Sequence, residues 1–262
     1  MNKFQRLFQG AKPIIGMVHL KPLPGSPGYG GDMEEICRAA LADLAALEKG
    51  GAHGAIVENF GDVPYGAKTE PVTQAAMAHI ATRLRAASAL PLGINVQFND
   101  YEAEWAIAYA CGLDFIRVEV FAEHRMGPNG YLAPCGPELM RLKARYPRDI
   151  LLLADVHVKH TFPVVEQPLD FTVESILEGG ADALICTGLV TGKSPSVADG
   201  EEMKGLSGGA RVIGGSGVSE KTGRDYLAVS DGAIIGSSLK VDGVVTNPVD
   251  AARVARLTER LG

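Results

Sequence analysis

The amino-acid sequence predicts an α/β fold, a closed (β/α)₈ barrel with a phosphate-binding site at the turns after strands seven and eight. Three observations carry this. Eight short apolar runs alternate with stretches of helical periodicity, a partial internal repeat joins helix ends to strand starts, and the last two apolar runs end in Gly-rich turns. The apolar runs are 13–18, 55–57, 92–96, 115–120, 150–154, 183–186, 211–213 and 233–235. Short, β-branched runs of this kind read as strands of a sheet buried on both faces.

Between them, patterns such as Ile36/Ala40/Leu44/Leu47, Met77/Ile80/Leu84, Tyr101/Trp105/Ala108, Val173/Ile176/Leu177 and Val254/Leu257/Leu261 place apolar side chains on one face of a helix. The sixth helix, near 197–205, has the weakest pattern. Strands that alternate with helices make a parallel sheet.

The repeat supports closure of that sheet. Lys49-Gly-Gly-Ala-His-Gly-Ala-Ile-Val57, Ala110-Cys-Gly-Leu-Asp-Phe-Ile116 and Glu178-Gly-Gly-Ala-Asp-Ala-Leu-Ile185 follow one template. Glycine permits the left-handed cap that stops a helix, and the polar residue that follows precedes a buried strand. Eight such units in 262 residues fit a barrel better than an open doubly wound sheet. The expected organisation is one domain, 1–262, with 1–12 as an N-terminal helical extension. There Phe4, Leu7 and Phe8 stand at i, i+3 and i+4, as a plug of the barrel bottom, a subunit contact or a membrane-adhesive face.

Composition narrows the function. A net charge of −6 without clustered Lys and Arg disfavours a nucleic-acid surface. Cys37, Cys111, Cys135 and Cys186 form no CxxC pair, so neither a disulfide framework nor a zinc cluster is indicated. No stretch reaches the roughly 20 apolar residues of a membrane span, and the start of the chain lacks the pattern of an export signal. A cytoplasmic homo-oligomer is expected, with a phosphorylated small molecule as its partner.

In a (β/α)₈ barrel the site forms where strands end and helices have not begun. The residues at those places are His19 and Lys21, Glu58 and Asn59, Asn95 and Gln97, Arg117 and Glu119, then Asp155, His157, Lys159 and His160, and finally Thr187, Thr191 and Lys193. The turns Gly214-Gly215-Ser216-Gly217 and Gly236-Ser237-Ser238 let backbone N–H groups approach an anion, and the start of a following helix would add a favourable dipole. Lys240 is placed at the rim of this cup. His19, Asn95 and Thr187 join it as substrate-binding candidates.

The segment Asp155-Val-His-Val-Lys-His160 is the densest polar cluster. Alternation along an extended strand sends Asp155, His157 and Lys159 to one side. The catalytic candidates are therefore Glu58, Asp155 and His157 for acid–base work, with Lys159 and Arg117 holding or polarising the reacting end. Lys159 is also a Schiff-base candidate, and a fixed ion-pair network is the structural alternative. Arg117 and Glu119 are expected to neutralise each other. No cofactor is required, although a divalent metal is possible, with Glu58, Asp155 and His157 as its ligands. Cys135 is a weaker nucleophile candidate. The loops 21–31, 59–70, 121–136 and 157–170 are long enough to roof the site.

The chain resembles the BtpA/SgcQ family of barrel proteins over nearly its whole length. The resemblance rests on Gly16-Met-Val-His-Leu20 with Leu23-Pro-Gly25, Glu58-Asn-Phe-Gly-Asp-Val-Pro64, Gly93-Ile-Asn-Val96 with Asn99-Asp100, and Phe115-Ile-Arg-Val118. It continues through Asp155 to His160, Thr187-Gly188 with Thr191-Gly192, and Gly214-Gly-Ser-Gly217. It implies the (β/α)₈ fold, with one branch named for photosystem I biogenesis and another found in sugar-metabolism contexts. The chain departs from the family pattern after strand four, where Glu119 and Met126-Gly-Pro-Asn-Gly130 stand in place of Val-Asn and a Thr-Asp-Gln-Gly-like loop.

The leading expectation is an enzyme acting on a phosphorylated sugar, nucleotide or similar metabolite as a lyase, an isomerase or by glycosidic cleavage. The alternatives are a non-catalytic assembly factor of the photosystem I type and a metal-dependent hydrolase or aldolase.

Overall fold

The computed structural model describes residues 2–187 and 196–261, so the candidates Thr191 and Lys193 lie outside the described residues. Eight parallel strands close on themselves: β1 (Ile14–His19), β2 (Gly54–Glu58), β3 (Leu92–Asn95), β4 (Phe115–Val118), β5 (Leu151–Val156), β6 (Ala183–Cys186), β7 (Arg211–Gly214) and β8 (Ala233–Ile235). Each pairs with its sequence neighbours, and Ile15 opposite Ile234 closes the ring between β1 and β8.

Alternation along the strands sorts the core into two layers. Ile15, Met17, Ile56, Phe115, Leu153, Ile185, Ile213 and Ile234 fill the barrel interior. Val18, Val57, Ile94, Ile116, Leu152 and Leu184 pack outward against the helices. Phe115 is large for this interior, and Gly93 on the neighbouring strand makes room for it: a Cβ there would lie 2.2 Å from the Phe115 ring.

The barrel bottom is plugged. Asn2 caps the short helix α1 (Lys3–Leu7), and Phe4 and Phe8 are buried in the interior cluster, with the Phe8 ring 6.0 Å from that of Phe115. Of the three roles open to this segment, the plug is the one seen, and Phe4 and Phe8 are not available as an adhesive face.

The outer helices are α2 (Met33–Lys49), α3 (Pro71–Ala87), α4 (Tyr101–Cys111), α5 (Gly136–Arg145), α6 (Leu169–Glu178), α7 (Val197–Leu206), α8 (Gly223–Val229) and α9 (Ala251–Leu261). Asp32 and Asp100 cap α2 and α4, and Gly112 ends α4 in the left-handed region at φ 72°. The polar residue of the repeat has a structural purpose. His53 Nδ1 accepts from the Ile14 N–H, Asp114 Oδ2 from Leu92 and Asp182 Oδ2 from Leu152, at 3.2, 2.9 and 2.9 Å. Asp231 does the same for Val212 at 2.9 Å. Each ties the start of one strand to the strand before it, where the first N–H of a barrel strand would otherwise go unpaired.

Two of the expected loops are partly folded. Segments Arg125–Gly127, Gly130–Leu132 and Phe162–Pro163, from the connections after β4 and β5, form a small antiparallel sheet. Arg125 pins it: the side chain is 2% exposed, donates from Nε to Thr161 Oγ1 at 2.5 Å and pairs with Glu123. No helix among the described residues is long and apolar enough to cross a membrane.

Candidate functional site

A cavity of about 540 Å³ opens at the C-terminal ends of the strands and reaches both Gly-rich turns. Of the residues singled out from the sequence, His19, Glu58, Gln97, Arg117, Glu119, Asp155, Lys159, His160, Thr187, Gly215, Ser216, Gly217, Gly236, Ser237 and Ser238 line it. The register explains the grouping on one side, because His19 stands opposite Glu58, and Glu58 opposite Asn95, at the ends of β1, β2 and β3.

Four expected residues are elsewhere. Lys240 is 1% exposed, and its Nζ lies 2.6 Å from Asp43 Oδ2 on α2, so it fastens the chain after β8 to the outer layer and is no rim cation. His157 leaves the predicted alternation because β5 ends at Val156 and His157 has φ 56°, a left-handed turn that re-aims everything after it. Its N–H donates to Glu123 Oε1, while Val158, Lys159 and His160 face the cavity. Asn95 is wholly buried beside the cavity, donating to Glu104 Oε1 and to the Arg117 carbonyl, both at 3.1 Å. Gly214 packs on Tyr226, where a Cβ would come within 2.6 Å of the ring.

The expected helix dipole is also missing from the cup. After Gly217 the chain runs five residues before α8 begins at Gly223, and β8 leads into a single 3₁₀ turn, Ser237–Leu239. The anion-binding potential of the turns lies in individual N–H groups. Those of Ser216, Gly217, Ser237 and Ser238 have no acceptor among the described residues. The side chains brace the turns: Ser216 Oγ donates to the Thr187 carbonyl at 3.1 Å, and Ser238 Oγ to that of Val218 at 3.0 Å. Gly215 has no room for a side chain, since a Cβ would lie 2.4 Å from Ile185 Cγ2.

The opposite wall gathers one cation and three carboxyl groups. Arg117 grips Asp155 in a bidentate pair, Nε to Oδ1 and Nη2 to Oδ2, each 2.9 Å. Glu119, expected to neutralise Arg117, lies within its field but accepts from the Asn99 N–H at 2.8 Å instead. Glu58 is buried, with the His19 Nε2 4.0 Å from its Oε1. Burial pushes the Glu119 carboxyl up to about 8, against the pull of Arg117 and with the help of Asp155 and Glu58. Burial raises Glu58 likewise, opposed by Arg117 and by a hydrogen bond from Gln97. His19 is lowered to about 3, by burial and then by the nearby Lys240 charge, so it is a neutral imidazole stacked on Phe60 with ring centroids 4.6 Å apart.

Aromatic groups complete the roof. Phe60, Tyr65 and Phe98 line the cavity, and the Tyr65 hydroxyl donates to the Phe60 carbonyl at 2.7 Å. None of the three stands among the residues singled out from the sequence, although Phe60 and Tyr65 in the long connection after β2, and Phe98 just past β3, were a usable signal. Cys135 is buried, and burial pushes its thiol up, which removes it as a nucleophile. The metal-ligand trio does not converge, since His157 is outside the cavity wall and Asp155 is taken by Arg117. No group of three His, Cys, Asp or Glu suited to a metal ion occurs among the described residues.

Fold and site together define a (β/α)₈ barrel with an open, charged pocket at its C-terminal face. The chain belongs to the BtpA family, whose sequence model matches residues 10–261. It is 41% identical over 252 residues to an uncharacterized protein of Pyrococcus abyssi, covering 95% of this chain and 96% of that one. It is 36% identical over 263 residues to the photosystem I biogenesis protein BtpA of Synechocystis, covering 100% of this chain and 91% of that one. Among solved structures, the tryptophan synthase alpha chain of Legionella pneumophila shares the fold with a TM-score of 0.64 at 12% identity, over 100% of this chain and 97% of that one.

Proposed function

We propose that the protein is an enzyme acting on a small phosphorylated metabolite, of the sugar phosphate or nucleotide type, by acid–base chemistry. The observation that carries this reading is the pairing of two unlike walls around one cavity. On one side, four backbone N–H groups without acceptors, at Ser216, Gly217, Ser237 and Ser238, suit an oxyanion. On the other, buried Glu58 and Glu119 are shifted toward neutral pH, where proton transfer is most effective. Asp155 orients Arg117 and so positions a cation against developing negative charge. Lys159 reaches the cavity from the loop after β5 and serves the ligand's phosphate.

In this reading the substrate is anchored by its phosphate at β7 and β8, and its reacting end lies near Glu58 and Glu119. A lyase, an isomerase and a glycosidic hydrolase all place a proton donor and acceptor there. The protein works in the cytoplasm as a homo-oligomer. A thermal-shift screen of phosphorylated metabolites tests the reading, because a ligand that binds only the folded state raises Tm. Failure of every phosphorylated compound and of inorganic phosphate would overturn it.

A second reading, a non-catalytic assembly factor, draws on two observations. One is the 36% identity to a relative named for photosystem I biogenesis. The other is a row of exposed apolar side chains on the small sheet, where Met126 stands opposite both Tyr131 and Phe162, at 45%, 52% and 63% exposure. It requires that Glu119→Gln leave function intact.

A further inference from the structure

The cavity is electrically lopsided, and the lopsidedness bears on the part of the ligand that is not phosphate. On the β2–β5 side there are three carboxyl groups, Glu58, Glu119 and Asp155, against the single cation Arg117. That cation is already engaged, because both Nε and Nη2 of its fork are held by Asp155 at 2.9 Å. An incoming carboxylate would have only the Nη1–Nη2 end of that guanidinium left to it, and with Glu58 and Glu119 ionised it would meet like charge in a buried place.

The β6–β8 side is the reverse. The Thr187 hydroxyl donates to the His157 carbonyl at 2.5 Å, and Ser216 Oγ donates to the Thr187 carbonyl. These bonds hold the 157–160 loop against the β7 turn, and Lys159 in that loop has no acidic partner among the described residues. Backbone donors and the Lys159 ammonium therefore line one side of the cavity, and carboxyl acceptors line the other.

We infer that the site selects phosphorylated compounds whose distal end is rich in hydrogen-bond donors, a polyol or an amino sugar, and rejects phosphorylated carboxylic acids. This rests on the phosphate anchor proposed above and names the substrate class of that same site. Carboxylate oxygens of Glu58 and Glu119 accept from hydroxyl or ammonium groups of the ligand, as carboxylates in polar sites do. The apolar faces of Phe60 and Phe98 border the same end and suit the C–H face of a sugar ring.

The test is a calorimetric titration of the full chain above about pH 8, where Glu119 is ionised, with inorganic phosphate, ribose 5-phosphate, glucosamine 6-phosphate and 3-phosphoglycerate. The two sugar phosphates are expected to bind at least about tenfold tighter than 3-phosphoglycerate, the effect of one uncompensated like-charge contact. Glu58→Gln and Glu119→Gln should each narrow that preference by admitting 3-phosphoglycerate, and Lys159→Met should weaken all phosphorylated probes alike. Should one Gln variant fail to fold, the other and the wild-type selectivity still decide the matter. Binding of 3-phosphoglycerate as tight as that of the sugar phosphates overturns the inference while leaving the phosphate anchor standing. Failure of inorganic phosphate and every phosphorylated probe overturns the anchor itself, and this inference with it.

Discussion

Arg117 on β4 and Asp155 on β5 meet through two parallel hydrogen bonds, each 2.9 Å, across neighbouring strands whose partners at this level are Arg117 with Leu153 and Val118 with Ala154. The pair holds the centre of the site. The same guanidinium lies within the field of the Glu58 and Glu119 carboxyl groups.

Removing the cation should therefore be costly. Arg117→Met leaves Asp155 buried beside two further carboxyl groups, and breaking a buried pair on one side costs about 3–5 kcal/mol. Urea unfolding above about pH 8, where Glu119 is ionised, should show the full loss. Near pH 5 the loss should shrink, because protonated carboxyl groups need no counterion.

Glu119 gives a pH signature of its own. Its folded pKa of about 8 lies above the ordinary value of 4.5, so between these limits the folded state holds a proton the unfolded chain has released. Its contribution to stability is complete below about 4.5 and is lost as pH rises through about 8. Stability should fall from about pH 4.5 to about pH 8, and Glu119→Gln should flatten that slope. An unchanged slope in the variant would contradict the assignment.

His19 acts on the other limb. Lowered to about 3 from 6.5, it stays neutral in the folded state while the unfolded chain takes up a proton, so stability is lost as pH falls from 6.5 toward 3. His19→Gln should remove this part of the acid sensitivity in thermal melts at pH 4 and pH 6.5.

Lys240 separates structure from binding. Lys240→Met strands the Asp43 carboxylate, which also accepts from the Val249 N–H at 2.7 Å, and should lower stability by about 3–5 kcal/mol. Phosphate affinity should be unchanged. A selective loss of affinity with intact stability would restore Lys240 to the cup.

Much of the fold was legible because its signals are local. The strands β6 and β8 fall on the apolar runs that mark them, and the repeat at Lys49, Ala110 and Glu178 marks three helix-to-strand joints that the structure shows in the same places. Fifteen of the candidate residues line one cavity because most stand where strands end and helices have not begun. What local pattern cannot show is a partner distant in sequence. Lys240 follows a Gly-rich turn and reads as a rim cation until Asp43, 197 residues away, is seen to hold it.

His157 illustrates a different limit. Alternation assumes an extended backbone, and the left-handed residue at the end of β5 stops it, so that Val158, Lys159 and His160 all line the cavity while His157 does not. The small sheet around Arg125 was hidden for a third reason. Its strands are two or three residues long and join two loops through a buried arginine, too short for any periodicity to register.

The phosphate anchor is tested most directly by following backbone amide resonances while inorganic phosphate is titrated into the full chain. The amides of Ser216, Gly217, Ser237 and Ser238 should shift together along one saturable curve, as donors closing on a common anion do. If those four stay in place while the protein binds phosphate elsewhere, or if no amide saturates, the cup at β7 and β8 is not an anion site.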